Sequence, residues 1–114
     1  MKVLLLEDNP DRQRLFKCAL IGHDVTITEY SKECIKYLKE NKYDYLFSDH
    51  DLGGKVFVES GEDTGWEVAK WLHEQKEKPK EIVIHSLNES GAKNMLSLIP
   101  EAKIIPFAWQ LINI

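Results

Sequence analysis

The chain has 114 residues, the size of one ordinary domain, so it reads as a single domain over residues 1–114 built on one core. Hydrophobic residues make up 43% and charged residues 30%, which argues against disorder. Fifteen Lys and Arg against nineteen Asp and Glu give a net charge of −4, with no basic footprint for general nucleic-acid binding.

At this length folding buries roughly two thirds of the unfolded chain's surface, so neither a metal nor disulfides are needed for stability, and a metal would be functional. No apolar run approaches transmembrane length, and the Met1 end has no signal-peptide pattern. Cys18 and Cys34 stand singly in helical segments and read as buried thiols of a protein in the reducing cytoplasm.

Val3 to Leu6 is a continuous apolar run ending at Glu7 and Asp8, the pattern of a strand covered on both faces. Asn9, Pro10 and Asp11 start a helix: a capping oxygen, a ring that fixes φ, and an acid at the positive end. Leu15, Phe16, Ala19 and Leu20 give that helix its apolar stripe, and Gly22 its stop. Val25, Ile27 and Glu29 alternate with Thr26 and Thr28 in a weaker strand nearer a sheet edge. Ser31 caps a second helix that buries Cys34, Ile35 and Leu38.

Tyr43 to Ser48 is the third strand, with Asp49, His50 and Asp51 at its carboxyl end. The acidic, Gly-rich stretch from Gly53 to Asp63 is longer than the usual connection and reads as a lid or binding loop. Thr64 caps a helix with Gly65, Val68, Ala69 and Leu72 at helical spacing. Trp66 and Trp71 fall on different parts of it, so at most one joins the main stripe. Ile82 to Ile84 is the fourth strand, ending at His85 and Ser86. Asn88 to Gly91 leads into a short helix that Pro100 closes, and Lys103 to Ile105 is the fifth strand.

This alternation of strands and helices predicts an α/β sandwich around a parallel sheet, since right-handed crossovers place helices on both faces. Ligands of such sheets bind at the carboxyl ends of the strands. Glu7, Asp8, Asp49, His50, Asp51, His85, Ser86 and Asn88 all fall at those ends, whereas His23 and His73 read as surface residues.

In that arrangement the chain resembles the receiver domains of bacterial response regulators, the CheY-like family, over essentially its whole length. Glu7 and Asp8 look like the family's acidic pair, Asp49 like its phosphoacceptor, and Ser86 like the Thr or Ser that ends its fourth strand. The resemblance implies a flavodoxin-like three-layer sandwich, a five-stranded parallel sheet in order 2-1-3-4-5, and a magnesium site at the rim. Two features depart from it. Ile105-Pro106 stands where the family has Lys-Pro, with Lys103 two residues earlier, and the last helix is short or missing. The runs Ser48-Asp49-His50-Asp51-Leu52-Gly53 and His85-Ser86-Leu87-Asn88, with Gly91 and Met95 beyond, are similar to the cyclic-phosphate-processing receiver-like domains of bacteria and their phages.

Asp8 and Asp49, brought together on adjacent strands, repel unless a cation or a proton joins them. Mg²⁺ or Mn²⁺ suits such oxygens, with Glu7, Asp8, Asp49 and Asp51 as the candidate ligands. His50 and His85 add groups that move protons near neutral pH, which points to hydrolysis. Alternation along the strand puts Asp49 and Asp51 on one face and His50 on the other, favouring His85 as the catalytic partner of Asp49. Ser86 and Asn88 can donate to phosphate oxygens, and Gly53 and Gly54 can bring backbone amides close to a ligand.

The leading expectation is therefore a receiver-like domain whose divalent-metal site binds or hydrolyses a small phosphoester, such as a nucleotide cyclic phosphate. Two readings stand beside it: a phosphoacceptor receiver modified on Asp49, and a silent pseudo-receiver that binds a protein partner. The apolar tail of Phe107, Ala108, Trp109, Leu111, Ile112 and Ile114 needs cover, either by folding across the sheet edge or by docking in a homodimer, the second being favoured.

Overall fold

The computed structural model describes residues 1–112 and 114. Its elements are β1 (Lys2–Leu6), α1 (Pro10–Ala19), β2 (Asp24–Thr28), α2 (Ser31–Glu40) and β3 (Tyr45–Ser48), followed by α3 (Gly65–His73), β4 (Glu81–Ile84), α4 (Glu89–Leu98), β5 (Lys103–Ile104) and α5 (Ala108–Leu111). All strands pair in parallel in the order β2-β1-β3-β4-β5, the expected flavodoxin-like topology, and the last helix is a single turn. No helix among the described residues is long and apolar enough to cross a membrane.

The sheet divides the expected single core into two. Val3 and Leu5 of β1, Phe47 of β3 and Val83 of β4 face one side, where Phe16 of α1, Leu20 at its carboxyl cap and Ala108 of α5 cover them. Leu4, Leu6, Leu46 and Ile84 face the other, under α2, α3 and α4. Side chains alternate across each strand, so one sequence run serves both layers.

Local signals acted largely as their chemistry dictates. Asn9 caps α1, its side chain accepting from the amides of Asp11 and Arg12, and Gly22 takes φ +93 at the turn that follows. Thr64 caps α3 and Asn88 caps α4. Three expectations need correction. Leu15 is 46% exposed, because Phe16 and Leu20, four residues apart, define the buried face and Leu15 is turned about 100° away. Cys18 is exposed, while Cys34 is buried as expected. Ser31 is not the cap of α2: Tyr30 occupies that place, and the Ser31 hydroxyl donates instead to Glu67 Oε1 at 2.5 Å, tying α2 to α3. Trp66 and Trp71 stay outside the main buried stripe, in line with the expectation that at most one joins it: both are half-buried at the core margin, each under a lysine, Lys70 at 5.5 Å and Lys39 at 6.0 Å from the ring centroids.

The tail returns to the protein's own α1 face. Trp109 meets Phe16 edge-on at 5.5 Å and Ala108 is buried, which leaves Phe107 and Leu111 as the exposed apolar side chains of the segment.

Candidate functional site

Strand register explains why residues far apart in the chain meet. Leu5, Phe47 and Val83 stand level on β1, β3 and β4, and the ladder runs one step past the strand ends. Glu7 N donates to Thr28 O, Asp49 N to Leu6 O and His85 N to Ser48 O, each at 3.0 Å. Alternation then sends Glu7, Asp49 and His85 to the same face as Leu5, Phe47 and Val83. One ligand atom from each lies within 4.8 Å of the other two, and each residue is at most 4% exposed.

Glu7 is the hub. Its Oε1 accepts from Arg12 Nε at 2.8 Å and from His85 Nε2 at 3.1 Å, and its Oε2 accepts from Asn9 N at 3.0 Å. Burial pushes its pKa up, but the hydrogen bonds from His85 and Arg12 outweigh that and hold it at about 2. An ionised Glu7 requires a proton on His85 Nε2, so a neutral His85 carries its lone pair on Nδ1. That nitrogen is the one buried side-chain polar atom among the described residues without a hydrogen-bond partner. Phe16, with its ring centroid 4.8 Å from the imidazole, packs against the same ring.

Asp49 Oδ1 accepts from His50 N at 2.8 Å, while Oδ2 has Arg12 Nη2 at 3.7 Å. Burial raises its carboxyl to about 6; His85, the His50 amide and Arg12 pull down, and the negative Glu7 pushes further up. Asp49, His85, Arg12, Ser86, Lys55 and Phe57 are among the residues around a cavity of about 90 Å³. A hollow of about 610 Å³ near Tyr43, Trp71 and Pro79 contains none of these converging groups.

The other expected residues form a second network. His50 continues the Leu46 and Ser48 side of β3, away from Asp49, and is fully buried. Its Nδ1 lies 2.8 Å from Asp51 Oδ1 and its Nε2 2.9 Å from Ser60 Oγ, which also accepts from Asn94 Nδ2. Asp51 spends its second oxygen on Phe57 N at 2.6 Å, and the hydrogen bonds from His50, Asn88 and Phe57 outweigh burial and lower its pKa. Asn88 Oδ1 accepts from Gly91 N, and its Nδ2 donates to Asp51 Oδ1 and to Val58 O, each at 3.0 Å. Asp51 and Asn88 thus hold the loop between β3 and α3, and Asp51 lines the same cavity as Asp49 while standing outside the tight Glu7–Asp49–His85 group.

Asp8 also stands outside that group. Its Oδ2 accepts from Gly54 N at 2.6 Å, so the Gly54 amide is engaged by the protein, and burial raises the Asp8 pKa. Gly53 and Gly54 adopt φ of +71 and +74, which glycine takes without strain. Ser86 Oγ accepts from Asn88 N at 3.1 Å, and by register it is His85 that stands level with Asp49.

Arg12, Lys55, Ser60 and Gly65 are the site's unforeseen members. Arg12 had a legible signal: a helix started by Pro10 has Arg12 in its first turn, and helical side chains lean back toward the amino end, here toward Glu7. Lys55 and Ser60 are brought in by the fold of a long loop, which no periodicity encodes, and Gly65, at the start of α3, by the 2.8 Å hydrogen bond its amide donates to His50 O.

Two buried carboxylates and an imidazole nitrogen form a donor set that can hold a divalent cation. Arg12 partly neutralises that set, and His85 Nδ1 has no hydrogen-bond partner.

Solved structures share this fold. The response regulatory domain of protein mrkE from Klebsiella pneumoniae aligns with 98% of this chain and 100% of its own at 18% identity, TM-score 0.69. The Mn(2+)-bound form of response regulator Rcp1 aligns with 95% of this chain and 88% of its own at 19% identity, TM-score 0.71. The phosphorylated cyanobacterial phytochrome response regulator RcpA aligns with 96% of this chain and 86% of its own at 22% identity, TM-score 0.75. No curated protein matches the chain. The family model described as "Cyclic-phosphate processing Receiver domain" matches residues 2–101, and with that span, the receiver topology and the acidic rim in place, this chain belongs to that family of response-regulator-type receiver domains.

Proposed function

We propose that the protein binds and hydrolyses a phosphoester at the Glu7–Asp49–His85 site, with a nucleotide cyclic phosphate as the substrate class. The observation that carries this reading is the fully buried Glu7–His85 pair with the unpartnered Nδ1 on an imidazole beside Asp49 and the cavity. A buried polar atom without a partner costs about 1–3 kcal/mol, and a ligand or attacking water would satisfy it.

Glu7 holds the imidazole and stabilises its charge when His85 takes the proton of an attacking water at Nδ1. The water oxygen bonds to phosphorus, the ester P–O bond breaks, and the proton passes from His85 to the leaving oxygen, giving a phosphomonoester. Ser86 has its hydroxyl proton left for a phosphate oxygen, and Arg12 and Lys55 supply positive charge at the cavity. Asp49, with Glu7 and Asp8 nearby, would hold Mg²⁺ or Mn²⁺, both of which take carboxylate oxygens. A bound divalent cation would polarise the phosphoryl group.

The test is a screen of cyclic and linear nucleotides with each cation, comparing wild type with Asp49→Ala and His85→Ala. Turnover is expected to fall at least 100-fold in both variants; turnover unchanged in both sinks the reading. The structural likeness to response regulators favours a second reading, in which Asp49 accepts a phosphoryl group. Acetyl phosphate followed by intact mass would then show a phosphate adduct that Asp49→Asn lacks.

Self-association through exposed Phe107 and Leu111 is a separate proposal. Sedimentation is expected to show a dimer that dissociates in a chain ending at Phe107, and a monomer at tens of micromolar removes it.

A further inference from the structure

The β3–α3 loop spends energy in an unexpected way. Phe57 has φ +52, a left-handed conformation that a bulky side chain rarely adopts, yet it gains no burial from it: the residue is 73% exposed. Val56 is equally exposed, and Leu87, across the cavity mouth on the β4–α4 connection, is 48% exposed. All three line the same cavity as Asp49, His85 and Arg12.

This conformation is held from below. Asp51 accepts from Phe57 N and Asn88 donates to Val58 O, so the residue itself and the one after it are both fixed. Asp51 and Asn88 are in turn locked by His50 and by the first turn of α4. A free loop would relax the strain or tuck the ring inward; here buried polar groups maintain an exposed aromatic at the lip of a charged well.

The size of the well limits what enters it. A cavity of about 90 Å³ takes a phosphate group and little more, so the remainder of any organic phosphate must lie outside. Outside the mouth, that remainder meets Phe57, Val56 and Leu87. We infer that these three side chains form a platform for a flat, unsaturated ring carried by the phosphate, with Phe57 stacking on a nucleobase, so that the protein selects nucleotides over sugar phosphates. The inference rests on the phosphate reading of the Asp49–His85 cavity and adds the substrate's second half.

The chemistry of a stacked base belongs equally to a free mononucleotide and to the end of a single-stranded oligonucleotide, so both are probed. Titration calorimetry of the full chain with Mn²⁺ present would compare inorganic phosphate, ribose 5-phosphate, a nucleoside 2′,3′-cyclic phosphate and a short oligonucleotide ending in the same group. Stacking on an aromatic predicts that the base-bearing ligands bind at least tenfold tighter than ribose phosphate. Phe57→Gly, which relieves the φ strain, should keep phosphate affinity and lose that tenfold advantage, while Phe57→Trp should keep it. A preference for the oligonucleotide over the mononucleotide names a strand end as the source, and equal affinity names the free nucleotide; both support the platform. Phosphate binding that is blind to the base, or a base preference that survives Phe57→Gly, overturns the platform alone. Failure of wild type to bind any of the four overturns the phosphate reading as well.

Discussion

Gly65→Ala is expected to lower stability by about 3 kcal/mol, near the top of the range for overpacking. A Cβ on Gly65 would fall 1.8 Å from the Asp49 carbonyl oxygen, 2.8 Å from its carbon and 3.0 Å from His50 Cα. All three are backbone atoms, so nothing can swing aside. Either the start of α3 moves out or the end of β3 does, and the Gly65 N to His50 O bond of 2.8 Å suffers both ways. The helix propensity gained by Ala, about 1 kcal/mol, cannot offset that clash. Gly91→Ala meets a side chain, the His50 ring at 2.5 Å, but that ring is pinned at both nitrogens by Asp51 and Ser60 and should give a comparable loss. Gly61→Ala has open space around it and is the control, expected within about 0.5 kcal/mol of wild type. Urea denaturation midpoints of the three variants check this, and equal midpoints contradict it.

Asp49→Asn should act in the opposite direction. Burial raises the Asp49 carboxyl to about 6 from its ordinary 3.8, so the folded state holds the proton more tightly than the unfolded chain. The stability this group contributes is therefore complete below about pH 4 and is lost as pH rises through 6. Above pH 7 the ionised carboxylate costs about 2–3 kcal/mol. Asn removes that cost, so the variant should be more stable than wild type by about that amount at pH 8 and nearly equal to it at pH 4. Glu7 has the reverse sign: its pKa is held at about 2, so its contribution is present above the ordinary value of 4.5 and is lost as pH falls through 2. Denaturation at several pH values measures both trends. Millimolar Mn²⁺ should stabilise wild type and leave Asp49→Asn unmoved, because a cation held by the carboxylate binds the folded state alone. A stability gap between the two proteins that does not change with pH would contradict the assignment of the raised carboxyl.

The order of elements, the parallel sheet, and the gathering of Glu7, Asp49 and His85 at one rim were legible in the sequence, because each depends on short-range chemistry. Continuous apolar runs make strands covered on both faces, Asn9-Pro10-Asp11 starts a helix, and each apolar run is followed at once by a polar residue. Alternation along a strand even separated His50, which packs against Gly91 and Ser60, from Asp49 beside Glu7 and His85.

Which polar residues meet was decided by tertiary structure. That Asp51 lines the Asp49 cavity yet spends its oxygens on His50, Asn88 and Phe57 depends on how the chain turns after β3 ends at Ser48, and that turn is fixed by partners on α4 and in the loop. Arg12 enters the site because α1 packs over the strand that carries Glu7, and Lys55 and Phe57 because a loop without periodicity folds back over the cavity. Ser86 and His85 both close β4, yet only the register with β3 shows that His85 is level with Asp49. Hydrophobic pattern specifies which face of an element is buried; the pairing of polar side chains is set by distances across elements, which exist once the packing does.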